Sequence, residues 1–387
     1  MRTFLILLIV IAAAPGYGFL NAEVCGGERC PEGSSGSPAE FGPVSDDGLS
    51  GMLAWRGFTR DQQLGWNRIH GTELDEWRRM KKSVEEKWGT LVQSTQFEWV
   101  DYGLNADTRC RVDFKEGKLI LEATVPKGSP KAIDRARRNM GDHLKTLFRK
   151  TDDQLQGVLE ELFADRHGER VGAGNLDRFL KITVGPSVRE NFSVDDFDHG
   201  GRRFFKTEIA MVPEHLRIQA QRYHHLVWLN ARRFDVEPHL IMAIIHTESF
   251  FNPKAISPSG ACGLMQVMPD MAAREAAWFL YGEDRTMTCS RLMDPVDNVA
   301  LGSAYLFLLK NNYFAKVVDN DKSRFISICG YNMGPGALGK ILLKYRNLDS
   351  LNPGDAFDLL RQVKPRETSD YLAKVAERMK LYAAMFQ

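Results

Sequence analysis

The chain has 387 residues, 43% of them hydrophobic, and its 51 Lys and Arg against 50 Asp and Glu leave a net charge of +1. That length accommodates about two domains and the apolar share supports a packed core. A balance so near zero carries no electrostatic footprint for nucleic acid, and no nucleic-acid partner is expected.

In chain order, residues 1–22 read as a secretory signal. Arg2 supplies a positive start, residues 4–14 are an apolar run too short for a confident membrane span, and Gly16, Gly18 and Ala22 offer cleavage points. Residues 23–70 are rich in Gly, Ser and Pro and read as a flexible segment. From there a small α+β domain is expected over 71–212. Leu74, Trp77, Val84, Trp88 and Leu91 fall on one helical face. Two apolar-rich runs between Arg109 and Val125 flank Lys115, Glu116 and Gly117, which predicts a hairpin. Ser129 and Pro130 are expected to open the next helix, with Pro130 in its first turn and Ile133, Met140, Leu144 and Leu147 on its apolar face. A further helix is expected to carry Leu155, Leu159, Leu162 and Phe163, and residues 202–212 a strand.

Beyond Pro213 the strand signals stop, and an all-α domain is expected over 213–387. Leu216, Tyr223, Leu226 and Phe234 repeat at helical spacing, and Asp235 is positioned to cap the helix that follows. Residues 239–247 are almost wholly apolar, so that helix is expected to be buried on most sides. Asp294 and Pro295 open another. Residues 323–332, 337–345 and 367–385 continue the pattern.

Six cysteines, Cys25, Cys30, Cys110, Cys262, Cys289 and Cys329, stand behind the signal-like segment. Export would bring them to an oxidising compartment, so at least one disulfide is expected. Cys25 and Cys30 are close enough to pair locally, but six cysteines allow 15 connectivities. The spacing of Cys25 and Cys30 lacks a second metal-binding half, so no zinc is expected. The run from 127 to 150 sets eight Lys or Arg against two Asp. A solvated helix face is the expectation, and contact with anionic cell wall or lipid headgroups the lesser alternative.

The chemistry concentrates after Pro213. Glu248 ends the buried helix, and no other carboxylate follows before Asp270. Burial and the negative end of the helix dipole both disfavour its charge, so a raised pKa and a protonated acid are expected. The plain alternative is a structural Glu bonded to backbone. Around it stand Ser257, Gly260, Gly263, Met265, Gln266, Met268, Tyr331 and Asn332. Polar, uncharged side chains beside one acid suit a neutral polymer such as a glycan. Core packing for Met265 and Met268, and a satisfied core aromatic for Tyr331, are the structural alternatives.

The segments "ESFFNP", "SPSGACGLMQVMP", "DPVDNVALGSAYL", "GYNMGPGA" and "ETSDYL" together resemble the lytic transglycosylases of the soluble lytic transglycosylase, lysozyme-like superfamily, over about residues 213–387. More diffusely, "VEEKWG", the hairpin up to "ILEATV" and "AMVPEHL" resemble the N-terminal domain of membrane-bound lytic murein transglycosylase C. The resemblance implies a lysozyme-like catalytic domain that cleaves the β-1,4 bond between N-acetylmuramic acid and N-acetylglucosamine in peptidoglycan. It implies Glu248 as catalytic acid and base. Ser257, Gln266 and Met268 would line the cleft, Tyr331 and Asn332 would face the muramyl sugar, and Tyr371 would hold the site near Glu248. It implies no metal or cofactor, glycan strands as partner, a periplasmic location and possible association with a membrane surface.

Two departures stand out. Gly330 replaces the Ala that precedes the Tyr-Asn pair, which is expected to loosen that helix. Val24 precedes Cys25 where a lipobox wants a small residue, so acylation of Cys25 is not expected. Because all motif residues follow Pro213, a fragment from about residue 205 is expected to retain bond cleavage. Two alternatives remain. A goose-type lysozyme would place acidic residues shortly after its catalytic Glu, and none lies between Ser249 and Pro269. An inactive glycan-binding scaffold would have lost Glu248.

Overall fold

A computed structural model describes residues 78–103, 105–149, 157–172, 174–190, 201–282, 287–344 and 350–386. The signal-like segment, the Gly/Ser/Pro-rich segment with Cys25 and Cys30, and Leu74, Trp77 and Leu155 lie outside the described residues. Lys81–Gln387 forms one compact unit. It has two hydrophobic cores, one built from the antiparallel sheet and its helix, the other from the helices that follow.

The sheet runs β1 (Glu98–Tyr102), β2 (Thr108–Asp113), β3 (Lys118–Pro126), β4 (Arg189–Glu190) and β5 (Arg202–Ala210), with spatial order β1-β2-β3-β5-β4 and antiparallel pairing throughout. The expected hairpin is present between β2 and β3. Asp113 Oδ1 accepts from the amides of Lys115 and Glu116 at 3.1 and 2.8 Å, and Gly117 takes the positive φ of 64° that closes the turn. Helix α1 (Ala132–Arg149) covers one face, burying Ala132, Ala136, Met140, Leu144 and Leu147 against Leu119, Leu121, Ala123 and Val125.

Three expectations fail here. Lys131 adopts φ 52°, so the chain turns left-handed after Pro130 and α1 begins only at Ala132. Ile133, in the first turn of α1, is not buried there and stays 37% exposed. Residues 157–163 are turns rather than helix. Gly157 and Glu161 sit at φ 76° and 64°, and neither is helical backbone. Leu159, Leu162 and Phe163 are nevertheless buried. Leucines spaced like a helix can fill a core from a folded loop.

The second half contains α2 (His215–Phe234), α3 (Pro238–Ser249), α4 (Ala272–Tyr281), α5 (Pro295–Leu308), α6 (Asn320–Met333), α7 (Pro335–Leu342), α8 (Pro353–Leu360) and α9 (Arg366–Tyr382), with short helical turns between some of them. Asp235 does not cap α3. It is left-handed at φ 49° and closes α2, while Glu237 precedes Pro238 at the start of α3. Asp294 caps α5 as expected, accepting from the amides of Val296 and Asp297 at 2.7 and 3.3 Å, with Pro295 at the first helical position. Helix α3 is packed between α2 and α9, and Leu240 to His246 are buried. Among the described residues no helix is long and apolar enough to cross a membrane.

Candidate active site

Glu248 is the last residue but one of α3, at the point where an almost fully buried helix meets the surface. Phe250 ends the helix in left-handed conformation, its amide donating to the His246 carbonyl. Ser249 ties the helix end to the loop that follows, its hydroxyl donating to the carbonyls of Leu264 and Ile245 at 2.8 and 3.1 Å.

The Glu248 side chain is half-buried, and its carboxyl is closed over. Tyr371 of α9 donates its hydroxyl to Oε1 at 2.7 Å. Burial raises the carboxyl to about 7, the hydrogen bond from Tyr371 works against that rise, and Glu367 adds a weaker upward push. Glu367 is itself exposed in the first turn of α9 and makes no hydrogen bond to Glu248. Tyr371 and Tyr331 are both held well above the usual phenol range, by burial first and then by the neighbouring carboxyl. Both remain hydrogen-bond donors across the working pH range.

Residues 252–268 form the wall beside Glu248. Short antiparallel bridges join Ile256 to Cys262 and Cys262 to Val267. Ser257 uses its hydroxyl within this loop, accepting from the Ala261 amide at 2.9 Å and meeting the Ser259 hydroxyl at 3.1 Å. Gln266 stands at φ 50° and is buried. Its amide nitrogen donates to the carbonyls of Ala255 and Gly263, while its Oε1 has no partner. Met265 is fully buried core, whereas Met268 is half-buried and its carbonyl receives the Ala273 amide at the start of α4.

Helix α6 closes the other side. Tyr331 donates its hydroxyl to the Met265 carbonyl at 2.9 Å and meets the Tyr305 ring at 5.7 Å. Asn332 accepts from the Thr368 hydroxyl at 2.7 Å, which couples α6 to α9. Helix α6 runs unbroken through Gly330. A Cβ there would sit 3.0 Å from Phe314 and 3.2 Å from Leu309, so its absence lets those side chains pack against the helix.

The fold thus joins Glu248 to Tyr371 directly, and Tyr331 to the loop through Met265. Ser257 and Met268 make no hydrogen bond to Glu248, Tyr331 or Tyr371. Among the described residues no three His, Cys, Asp or Glu side chains converge on a point that could hold a metal ion.

Several positioning residues are not singled out by the sequence reading. Asn298, fully buried on α5, donates to the carbonyls of Cys262 and Leu292 at 2.8 and 2.7 Å and accepts from the Met265 amide at 2.7 Å. It pins the loop from behind. Gly263 is required at that contact, because a Cβ would stand 2.1 Å from the Leu292 carbonyl. A disulfide between Cys262 and Cys289 crosses the same region. An Asn one turn inside an otherwise apolar helix is the signal that could have drawn attention to it.

The helical half, closed over one carboxylic acid, contains the match to the family model described as "Transglycosylase SLT domain", which covers residues 226–352. Two curated relatives, both named membrane-bound lytic murein transglycosylase C, come from Yersinia pestis and Yersinia enterocolitica. They are 37% identical over 322 residues and 36% identical over 319, and each alignment spans 78% of this chain and 87% of the relative. The chain belongs to the membrane-bound lytic murein transglycosylase C family. A solved structure, the 70 kDa soluble lytic transglycosylase from Escherichia coli, is similar at 24% identity with a TM-score of 0.34, over 42% of this chain and 24% of its own.

Proposed function

We propose that the protein cleaves the β-1,4 bond between N-acetylmuramic acid and N-acetylglucosamine in peptidoglycan without consuming water, leaving 1,6-anhydromuramyl ends. The observation that carries this reading is the Glu248 carboxyl at the end of a buried helix, raised to about 7 by burial and held by the Tyr371 hydroxyl at 2.7 Å, with the exposed Glu367 the only carboxylate that acts on it among the described residues. A glycosidase of the usual kind works with two carboxylates. Here one group serves both steps. The protonated Glu248 gives its proton to the glycosidic oxygen as the bond to the muramyl C1 breaks. The N-acetyl carbonyl of the muramyl sugar stabilises the developing cation. The carboxylate left behind then takes the proton of the muramyl C6 hydroxyl, whose oxygen bonds to C1. Glu248 ends protonated, as it began.

Tyr371 orients the carboxyl and stabilises its charged form between the steps. Tyr331 and Asn332 face the muramyl residue from α6. Ser257, Gln266 and Met268 line the cleft, with Gln266 held in the loop by its donations to the carbonyls of Ala255 and Gly263. The partner is the glycan strand. The signal-like N-terminus and the disulfide support a location on the periplasmic side of the cell envelope, and the name carried by the relatives supports contact with a membrane.

The test is digestion of purified sacculi by wild type and by Glu248→Gln, with the products resolved by mass spectrometry. Wild type is expected to release muropeptides lighter by one water than hydrolysis products. Glu248→Gln keeps the shape but removes the titratable proton. General acid–base work contributes about 10²–10⁴-fold and one group does both halves, so the loss is expected to be at least that large. Near-normal release by Glu248→Gln would end the assignment.

A further inference from the structure

The chain leaves Glu248 through two consecutive left-handed residues. Phe250 has φ 49° and ψ 40°, and Phe251 has φ 66°. Such backbone is costly for residues with a Cβ and persists only where the surroundings hold it. Phe251 is held by the second core: it is fully buried and stacks near Tyr223 and His246. Phe250 meets the His246 ring edge to face at 4.8 Å and also packs against the first core. Its ring meets Phe97 edge to face at 5.4 Å, and the Arg378 guanidinium lies 4.9 Å from its centre.

The contact with Phe97 is one of several. Asn252 is fully buried, and its side-chain nitrogen donates to the carbonyls of Gln96 at 3.2 Å and Thr95 at 3.4 Å. The Ile256 amide also donates to the Thr95 carbonyl, at 3.4 Å. Residues 95–97 are fixed in their turn. The Thr95 hydroxyl accepts from the amides of Phe97 and Glu98, the Thr95 amide donates to the Glu98 carbonyl, and the Phe97 carbonyl accepts from Phe114 at the β2–β3 hairpin. The sheet half of the molecule therefore reaches the segment immediately after Glu248 from 250 to 256.

We propose that residues 95–97 are a positioning brace for the active site, in which Phe97 holds Phe250 and the carbonyls of 95 and 96 hold Asn252, fixing the left-handed pair that aims Glu248 into the cleft. The proposal rests on Glu248 being the general acid. Phe97 itself touches neither the carboxyl nor the substrate and acts through Phe250. The groups that bear on the carboxyl are Tyr371 and Glu367 of α9 and Tyr331 of α6. Arg378 of α9 lies over the Phe250 ring and bears on Tyr371, whereas residues 95–97 contribute geometry and no charge. Removing the Phe97 ring leaves those groups in place but lets the turn relax and water enter, so the carboxyl falls from about 7 toward an ordinary glutamate. On this proposal a fragment from about residue 205, which lacks residues 95–97, is expected to lose activity.

The experiment uses the full chain and soluble glycan strands. It measures kcat, KM and the pH dependence of kcat for Phe97→Ala, Phe97→Tyr, Phe250→Ala and the double Phe97→Ala/Phe250→Ala. Phe97→Ala is expected to lower kcat about tenfold or more with KM unchanged, since a small misplacement of a reacting group is costly. Its alkaline limb should move down by about one pH unit. A smaller folded fraction would scale kcat but would not move the limb. Phe97→Tyr, which keeps the ring, should restore both, and the double should lose no more than the worse single. An unshifted limb and unchanged kcat in Phe97→Ala, or losses that multiply in the double, would overturn the brace. Should Phe97→Ala not fold, Phe97→Leu keeps the bulk without the ring edge and is judged by the same limb. Glu248→Gln separates the two claims. Full activity there removes the acid assignment, whereas an inactive Glu248→Gln beside wild-type-like Phe97 variants removes the brace alone.

Discussion

Glu248 and Tyr371 form an acid–orienter pair in which the two effects on the carboxyl oppose each other. Burial raises it, and the 2.7 Å hydrogen bond from Tyr371 lowers it by favouring the charged form. Tyr371→Phe removes the lowering effect, so the carboxyl should rise further. The alkaline limb of the pH–rate profile is then expected to move up, by about one pH unit, while the maximal rate falls through loss of orientation. A limb that stays put or moves down would mean that Tyr371 does not stabilise the carboxylate. At this scale the sequence is informative about the acid, because a lone Glu after an apolar helix stands out. Glu367, Asn298 and Thr368 stand inside the quoted motif segments, but the sequence assigns them no role, because that role lies in the carboxyl, the backbone carbonyl or the side chain the fold brings to them.

Between residue and whole, the loop of residues 252–268 is the element that decides the shape of the cleft. It has little regular structure and is held by Asn298, by the hydroxyl of Ser249 and by the disulfide. That bond joins cysteines separated by 27 positions. Closing a loop of that length removes unfolded-state freedom worth about 3.5 kcal/mol. Cys262→Ser with Cys289→Ser is therefore expected to lower stability in denaturant unfolding by about that amount. An unchanged midpoint would show that Asn298 and Ser249 suffice. A helix apolar on nearly all sides, such as α3, or one opened by an Asp-Pro cap, such as α5, is legible in the sequence alone. The failures come where single residues with positive φ set the chain's direction. Lys131, Glu161 and Asp235 all adopt left-handed backbone, and while Asp tolerates it, nothing in a Lys or Glu side chain announces it. The turn at Phe250 and Phe251 is the same case, and the more consequential one.

Across the whole molecule, two buried titratable groups on α3 set opposite pH dependences of stability. Glu248 is raised from its ordinary 4.5 to about 7, so between those values the folded chain keeps a proton that the unfolded chain has released. Its contribution is lost as pH rises through that window. His246 is lowered from 6.5 to about 3, chiefly by burial, with its Nδ1 at 2.9 Å from the Tyr382 hydroxyl. The unfolded chain takes up that proton first, so the His246 contribution is lost as pH falls below 6.5. Glu248→Gln removes only the first effect. The melting temperature of Glu248→Gln relative to wild type is expected to be higher at pH 8 than at pH 5, and an equal gap at both would contradict the buried acid. The division into a sheet-built half and a helical half is readable from where strand signals stop. That Lys81–Gln387 packs as one unit, with Phe250 reaching from one core into the other, is not.

The central claim is that one carboxylic acid, with the substrate's own C6 hydroxyl as nucleophile, replaces the water of a hydrolase. Digestion of sacculi in heavy-oxygen water tests it most directly. The newly formed muramyl ends are expected to be 1,6-anhydro and free of the heavy isotope, because their ring oxygen comes from the sugar. Reducing ends that carry solvent oxygen would make the enzyme a hydrolase and contradict the reading of Glu248.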